Sequence, residues 1–461
     1  MNERENKRET LASRLGFIFL SAGCAIGLGN VWRFPFITGQ YGGAAFVLIY
    51  IFFLLALALP VMVMEFAVGR ASQKSVSESF KVLCPEHKIW NIWGYAGWFG
   101  CALLMMFYTV VTGWMLAYTC YSAYGILDGL TPDQVGGVFG ELLGNPQAMA
   151  FWLLLTVNIA LVVCGSGLQN GVERVTKFIM SGLLIIMIIL AFRAVTLDGA
   201  DKGLEFYLKP SLENLSKNGL GESIYAALGQ AFFTLSLGVG SMAIFGSYIG
   251  KEKSLMGESL IVAGLDTFVA LVAGLIIFPA CFAFGVNPGA GPGLIFVTLP
   301  NMFNAMSHGR IWSTLFFLFM SFAALSTVIA VFENVIACFM DKFNWPRLKA
   351  SIITCSLLFI LALPCALGFN IWAGFQPLGA GSGVLDLEDF ILSNNLLPIG
   401  CVIYILFCVT RYGWGWDNFI KEADSGDGLK FPKALRAYLT YIVPCIMLII
   451  LVVGYWEKFF K

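Results

Sequence analysis

"GCAIGLGNVWRFPF", residues 23–36, breaks into an otherwise apolar first segment with Gly23, Gly27 and Gly29, followed by Asn30, Arg33 and Pro35. A segment that crosses lipid favours an unbroken helix, because hydrocarbon offers no partner to a loose backbone N–H or C=O. A second stretch of the same kind, "TLSLGVGS" at 234–241, interrupts the sixth apolar run. Two such breaks at corresponding places raise the question of what the chain gains from them.

The bulk composition sets the class. Of 461 residues, 58% are hydrophobic and only 12% charged, with a mean hydropathy of +0.80. Soluble domains carry roughly 25% charged residues, so this chain reads as an integral membrane protein. Its 41 phenylalanines and 50 glycines fit membrane helices and their interfaces. Net charge is zero, which gives no footprint for nucleic acid. The charged opening MNERENKRET runs directly into the first span, so no cleavable signal peptide is expected. Twelve cysteines lie mostly within apolar runs, without a CxxC pair, and read as small buried hydrophobes.

Apolar runs long enough to cross about 30 Å of hydrocarbon fall near 14–38, 43–69, 91–124, 148–165, 175–195, 221–248, 257–284, 311–340, 350–367, 388–410 and 437–456. The expectation is an all-α integral membrane protein of 11 transmembrane helices, forming one domain over 1–461. With the N-terminus inside, the cytoplasmic segments hold 20 Lys/Arg against 7 on the other side. The positive-inside rule therefore puts the N-terminus in the cytoplasm and, after eleven spans, the C-terminus outside.

The breaks are five spans apart, and an odd offset inverts the second unit relative to the first. This predicts a 5+5 inverted repeat, about 14–195 and 221–410, with helices 1 and 6 unwound and an extra helix at 437–456. Paired glycine-interrupted segments point to a transporter's central site. Unwinding frees carbonyls for a cation, while half-helix N-termini offer N–H groups to an anion. For either break alone, close helix packing is an equal reading, since Gly23 and Gly27 also form a G-xxx-G motif. Two matched breaks, with Asn30 and Thr234 beside them, favour a binding site. No strand precedes the GxG pattern, which excludes a nucleotide fingerprint.

"SRLGFIFLSAGCAIGLGNVWRFPF" and "GQAFFTLSLGVGSMAIFGSY" resemble the first and sixth helices of the neurotransmitter:sodium symporter family. Within it the nearer likeness is to bacterial sodium-coupled amino-acid transporters of the leucine and multi-hydrophobic amino-acid type, a subgroup of which has eleven spans. That family is itself a reference case for the paired-break rule, so the two inferences are not independent. The likeness runs from about Arg8 to the end of the chain. It implies a multi-pass protein of the plasma membrane, specifically a bacterial inner membrane, that uses Na+ at two sites.

The resemblance implies a first sodium site at Ala25, Asn30, Thr234 and Asp266, completed by the substrate carboxylate. A second would use the carbonyls of Gly23, Ile26 and Ala323 with the hydroxyls of Ser326 and Thr327. Oxygen-only ligand sets suit a hard cation. Read alone, Ser326 and Thr327 would more often back-bond within their own helix. The implied substrate pocket has Tyr108 on the carboxylate and Phe233 as lid. Leu28 and Gly29 would supply backbone N–H groups, and Leu104, Ser236, Val239, Thr327 and Val331 would line the side-chain end. Gly27 stands where monoamine members carry an aspartate, which favours an α-amino acid. Asp266 stands where the family has an asparagine, and Ala270 lacks the hydroxyl that helps chloride-dependent relatives hold their anion. A fixed carboxylate at 266 would supply that charge, so transport is expected to be chloride-independent.

Arg33 and Asp389 are implied as an outer gate, and Arg8 and Asp341, with Tyr248, as an inner one. Glu65 and Glu333 lie within spans, where carboxylates are functional by default, and are expected to buttress the first helix or handle protons. The chain departs from the family pattern at Leu11, often Trp, and at Ser181, nine residues after Gly171, where relatives often have Pro. Gly182 follows. Val239 replaces a larger side chain. The expected function is import of a hydrophobic or aromatic L-amino acid by alternating access in a lipid bilayer. Small neutral amino acids as substrates, or a transport-inactive amino-acid sensor, stay open as alternatives. A channel lacks support because two broken helices and gate charges stand in place of a continuous polar stripe. An enzyme lacks support because His87 and His308 fall in loops on opposite sides.

Overall fold

A computed structural model of the chain describes residues 8–286 and 293–459. Every regular element among them is helical, and a single isolated bridge joins Lys253 to Asp427. Nine helices among the described residues are long and apolar enough to cross a membrane: Ala44–Ser72, Trp90–Tyr124, Pro146–Gly165, Leu168–Val195, Leu255–Ala283, Gly309–Phe343, Arg347–Leu367, Val384–Val409 and Lys433–Trp456. A tenth candidate is the pair Arg14–Ala25 and Gly29–Gln40, bent by 53°. The expected sixth span is a 15-residue helix, Leu220–Thr234, followed by turns and a short helix, Ser241–Gly246.

The arrangement follows from where apolar surface can be buried. Trp90–Tyr124 and Gly309–Phe343, each of 35 residues, pack along one another more extensively than any other pair. They are also the most enclosed, with 78% and 83% of their most apolar windows buried. Around this scaffold the peripheral helices turn Phe151, Phe178, Phe192 and Ile188 outward, on surface that lipid rather than water can cover. Arg14–Ala25 packs against Gly309–Phe343, Leu168–Val195 and Leu255–Ala283, which brings the first break to the middle of the molecule.

Loops carry helices that the apolar-run reading does not separate: Pro132–Gly144, Asp201–Leu208, Leu294–Ala305 and Trp416–Ala423. Pro132–Gly144 starts with a capping box, in which Thr131 and Gln134 satisfy each other's backbone N–H groups. The fifth long helix begins at Leu168 rather than near 175. The polar residues Gln169 to Lys177 mask its start, and they contact the N-terminal segment instead of ending the helix.

Candidate functional site

Two helices stop in the middle of the bundle. After Ala25, Ile26 turns to extended geometry (φ −73°, ψ 93°), and the chain resumes helix in a wide turn at Gly29–Arg33. In the second break Ser236, Gly238 and Gly240 have φ of 51°, 101° and 78°. Glycine takes such angles at little cost, which explains the GVG sequence, while Ser236 is held there against its own preference.

The backbone groups released by these breaks are met by named partners, as a water-free interior requires. At the second break, Glu65 accepts from the N–H of Gly238 at 2.5 Å and of Met242 at 3.2 Å. Trp93 Nε1 donates to the Gly238 carbonyl at 3.0 Å, and Asn334 Nδ2 to that of Gly240 at 3.3 Å. At the first, the Leu28 N–H donates to Tyr108 Oη at 2.8 Å and Gln230 Nε2 to the Gly29 carbonyl at 3.0 Å. Glu65 thus buttresses the second break rather than the first helix. The residue is fully buried, and two backbone donors are what its carboxylate gains there.

Asn30, Thr234 and Asp266 come together from three helices. Asn30 Nδ2 donates to Asp266 Oδ1 at 2.8 Å and to the Asp266 carbonyl at 3.1 Å; Thr234 Oγ1 donates to Asp266 Oδ2 at 3.0 Å. All three are buried, a setting in which an ionised carboxylate calls for a cation or hydrogen-bond donors. Ala25 lies beside them, lining the same cavity as Thr234.

A second oxygen cluster forms across the first break. Ser326 Oγ donates to the carbonyls of Ile26 at 3.2 Å and Ala323 at 2.8 Å, and Thr327 Oγ1 lies 3.2 Å from the Gly23 carbonyl. Ser326 and Thr327 do bond back to their own helix, but they also reach across to the broken one. Oxygen atoms of five residues (Gly23, Ile26, Ala323, Ser326 and Thr327) therefore converge at a helix break, a donor set suited to a hard cation.

Between the clusters lies a cavity of about 30 Å³, lined among others by Ala25, Gly27, Gly29, Leu104, Tyr108, Phe233, Thr234, Ser236, Val239 and Thr327. Cys24, Leu392 and Leu397 line it too and were not anticipated. Leu392 and Leu397 flank the polar stretch Ser393–Asn395, and as leucines neither is distinguished by the sequence from those that pack the bundle. Val331, one turn beyond Thr327, is buried and is not among the residues that line the cavity, and Leu28 contributes through its backbone N–H. Gly27 does not face empty space: a Cβ there would collide with the Tyr108 hydroxyl and come within 2.6 Å of Thr327 Oγ1. Phe233 separates this cavity from a vestibule of about 480 Å³.

Arg33 and Asp389 both line the vestibule without pairing directly among the described residues. The Arg33 guanidinium lies 4.0 Å over the Phe233 ring, and Asp389 accepts from Ser393 Oγ at 2.7 Å. At the opposite end the charges pair, on the wall of a basin of about 600 Å³. Arg8 Nη1 donates to both Asp341 carboxylate oxygens at 2.9 Å, and its guanidinium lies 4.8 Å from the Tyr248 ring centroid. Tyr248 Oη donates to Glu333 at 2.6 Å, and Arg347 to the same carboxylate at 2.6 and 2.9 Å and to Glu9. Burial opposes the charge on Arg8, yet Tyr248, Asp341 and Glu333 more than offset it and hold its pKa above the ordinary arginine value. Glu333 thus belongs to this closing cluster, while Leu11 packs on the core and donates its N–H to the Tyr248 carbonyl at 3.3 Å. Gly182, next to Ser181, lies against the Phe322 ring at 2.7 Å from an added Cβ, and Gly171 sits in the wide turn at Leu168–Glu173.

Comparison with known proteins bears on this geometry. The model of the "Sodium:neurotransmitter symporter family" matches residues 8–128 and 140–458. An uncharacterized sodium-dependent transporter of Bacillus subtilis, YhdH, is 34% identical over 97% of this chain and 97% of its own. The sodium-dependent serotonin transporter of Drosophila melanogaster is 27% identical over 98% of this chain and 78% of its own. A crystal structure of MhsT in complex with L-phenylalanine superposes with a TM-score of 0.86 at 38% identity, over 97% of this chain and all of that one.

Proposed function

The chain belongs to the sodium:neurotransmitter symporter family, a family of sodium-dependent transporters rather than enzymes, and from that premise we propose that it imports a hydrophobic or aromatic L-amino acid with Na+ by alternating access. The observation that carries the proposal is the meeting of Asn30, Thr234 and Asp266 at the junction of the two broken helices. The similarity to MhsT, whose structure was solved with L-phenylalanine, supports the choice of substrate class.

In this reading Asn30, Thr234, Asp266 and the Ala25 carbonyl hold one Na+, and the substrate carboxylate completes its shell. The second Na+ is held by the carbonyls of Gly23, Ile26 and Ala323 with Ser326 and Thr327. Tyr108, which already accepts the Leu28 N–H, can donate its O–H to the substrate carboxylate. Val239 and Leu104 receive the side chain, and the Gly29 N–H faces the carboxylate end. A cavity of about 30 Å³ is about the size of one water, so a bulky side chain is admitted by movement of Phe233 and of Leu392 and Leu397.

Alternating access finds support in the asymmetry of the two ends. The Arg8–Asp341–Tyr248–Glu333–Arg347 cluster seals one, which the lysine and arginine distribution assigns to the cytoplasm. The vestibule, with Arg33 and Asp389 on its wall, opens the other. Two inverted repeats of five helices, an N-terminus inside and a C-terminus outside a bacterial inner membrane complete the proposal. Asp266 supplies a fixed negative charge beside the first cation, which makes bound chloride unnecessary. Uptake into proteoliposomes with an imposed Na+ gradient, in competition with each of the twenty amino acids, tests the reading. Uptake undiminished without Na+, or glycine and alanine outcompeting every aromatic, would refute it.

A further inference from the structure

Glu388 is a buried carboxyl that none of the foregoing uses. Its helix, starting at Val384, presents Asp386, Asp389 and Ser393 to the vestibule. The opposite stripe, Val384, Glu388 and Leu392 at i, i+4 and i+8, is 7%, 4% and 1% exposed. A glutamate therefore occupies the middle of an apolar packing stripe, one residue before a vestibule-lining aspartate and on the other side of the helix.

Among the described residues, none balances a charge there. Its Oε2 is buried without a hydrogen-bond partner among the described residues. No ion pair among them involves Glu388. Two helices flank the stripe. Trp90–Tyr124 contains no Asp, Glu, Lys, Arg or His, only tyrosines and cysteines as titratable groups. Arg347–Leu367 faces it with the Cys365 thiol. That helix's two cations, Arg347 and Lys349, sit at its far end, at least 16 residues and so roughly 24 Å from Cys365. On its own helix, Asp386 and Asp389 bring no cation and face the vestibule. An ionised carboxylate in such a place is strongly disfavoured and neutralises instead.

We propose that Glu388 is a proton-binding site, protonated while the Val384–Glu388–Leu392 stripe is packed and deprotonated when that stripe parts from Arg347–Leu367 and meets water. On release the carboxyl O–H bond breaks and the proton passes to a water of the vestibule; on rebinding, hydronium returns it and leaves water. Because Asp389 is the next residue, the proton's affinity and the position of the vestibule wall are linked: each favours the other's packed state. The inference rests on the fold and on Glu388's surroundings, and it stands whichever substrate the central site takes.

The test uses the purified full-length protein and two readouts that do not require transport. The first is infrared difference spectroscopy between about pH 5 and pH 10, a window that brackets a carboxyl raised by burial. Wild type should lose more protonated-carboxyl intensity on alkalinisation than E388Q, which lacks the contribution of residue 388 and keeps any from the other buried carboxyls, Glu65 and Asp266. The second is the unfolding rate in detergent at fixed temperature. The ratio of rates at about pH 9.5 and pH 6 should be at least ~3-fold larger in wild type than in E388Q and in E388M, which keep a neutral side chain of similar length at both pH values. E388M retains the test should E388Q fold poorly. Spectra of E388Q that titrate like wild type, or equal rate ratios in all three proteins, would overturn the proposal.

Discussion

Glu65 Oε1 accepts the backbone N–H of Gly238 at 2.5 Å, across 173 residues of sequence. One carboxylate from the second long helix thereby stands in for the helical carbonyls that the GVG stretch gives up, and its other oxygen takes the Met242 N–H. The loose backbone beside the candidate substrate cavity is held from outside the break rather than by it.

Glu65→Gln should therefore destabilise the protein by about 1–3 kcal/mol, because one of two buried backbone donors loses its acceptor. The measurement is the thermal midpoint of purified protein with and without Na+. Sodium should recover part of the loss if it orders the same segment, and a midpoint equal to wild type would remove Glu65 from this role.

Ser326→Ala with Thr327→Ala should shift half-activation by Na+ to concentrations at least about tenfold higher. Hydrogen bonds or ligand contacts to a charged group are worth about 1.5–3 kcal/mol each when buried, and two hydroxyl oxygens are removed. Substrate affinity at saturating Na+ should change less. Na+-activation curves of uptake, with the two single variants beside the double, provide the check.

Val239→Phe should cost bulky substrates about 1–3 kcal/mol, roughly 5- to 150-fold, by overpacking a filled site. Val239 is fully buried, lines the cavity and already rests on Gly100. Glycine or alanine, if bound at all, should be affected less. Competition by phenylalanine, leucine and alanine against one labelled substrate reads the difference.

Asp266→Asn should lower Na+ affinity while leaving the hydrogen bond to Thr234 available, since an amide oxygen still accepts. Replacing chloride by gluconate on both sides should leave wild-type uptake unchanged. The double variant Asp266→Asn, Ala270→Ser is expected to acquire a dependence on chloride, as the anion would replace the lost charge. A wild type that stops without chloride would end this assignment.

Asp341→Asn should open the Arg8 end. The charge of the pair is lost, and the one amide oxygen that remains cannot serve Arg8, the Ser75 N–H and Lys74 together. The side chains are only 12% and 8% exposed, and removing one partner of a pair buried to this extent costs about 3–5 kcal/mol, so the paired population should fall by at least about tenfold. Thiol labelling of a cysteine placed at Asn344, on the wall of the basin at that end, measures the shift.

The breaks themselves were legible because glycine, asparagine and a proline stand out against an apolar run, and lipid penalises unexplained backbone freedom. Their position five runs apart could be read the same way, whereas the hydroxyl pair at 326–327 read alone as back-bonding and took its role only from the family resemblance. Glu65 and Glu333 stood out as carboxylates within spans, but not what they serve. Their partners Gly238 and Arg347 are set by how helices cross, and no local pattern encodes that. The loop helices escaped notice because amphipathic and short segments lack the length signal that marks a span.

The sequence by itself determined that this chain lives in a membrane, where its backbone breaks, and which oxygen-bearing residues flank the breaks, since each is a matter of local composition. Only the tertiary structure decided that Arg8 and Asp341 pair while Arg33 and Asp389 do not, and that the space above Gly27 is filled by the Tyr108 hydroxyl. It also decided that Glu388 faces thiol and apolar side chains rather than the vestibule. The physical reason is common to all three. Which of several packed arrangements a helix bundle adopts depends on small differences summed over contacts between distant segments, and those contacts exist only once the helices have met.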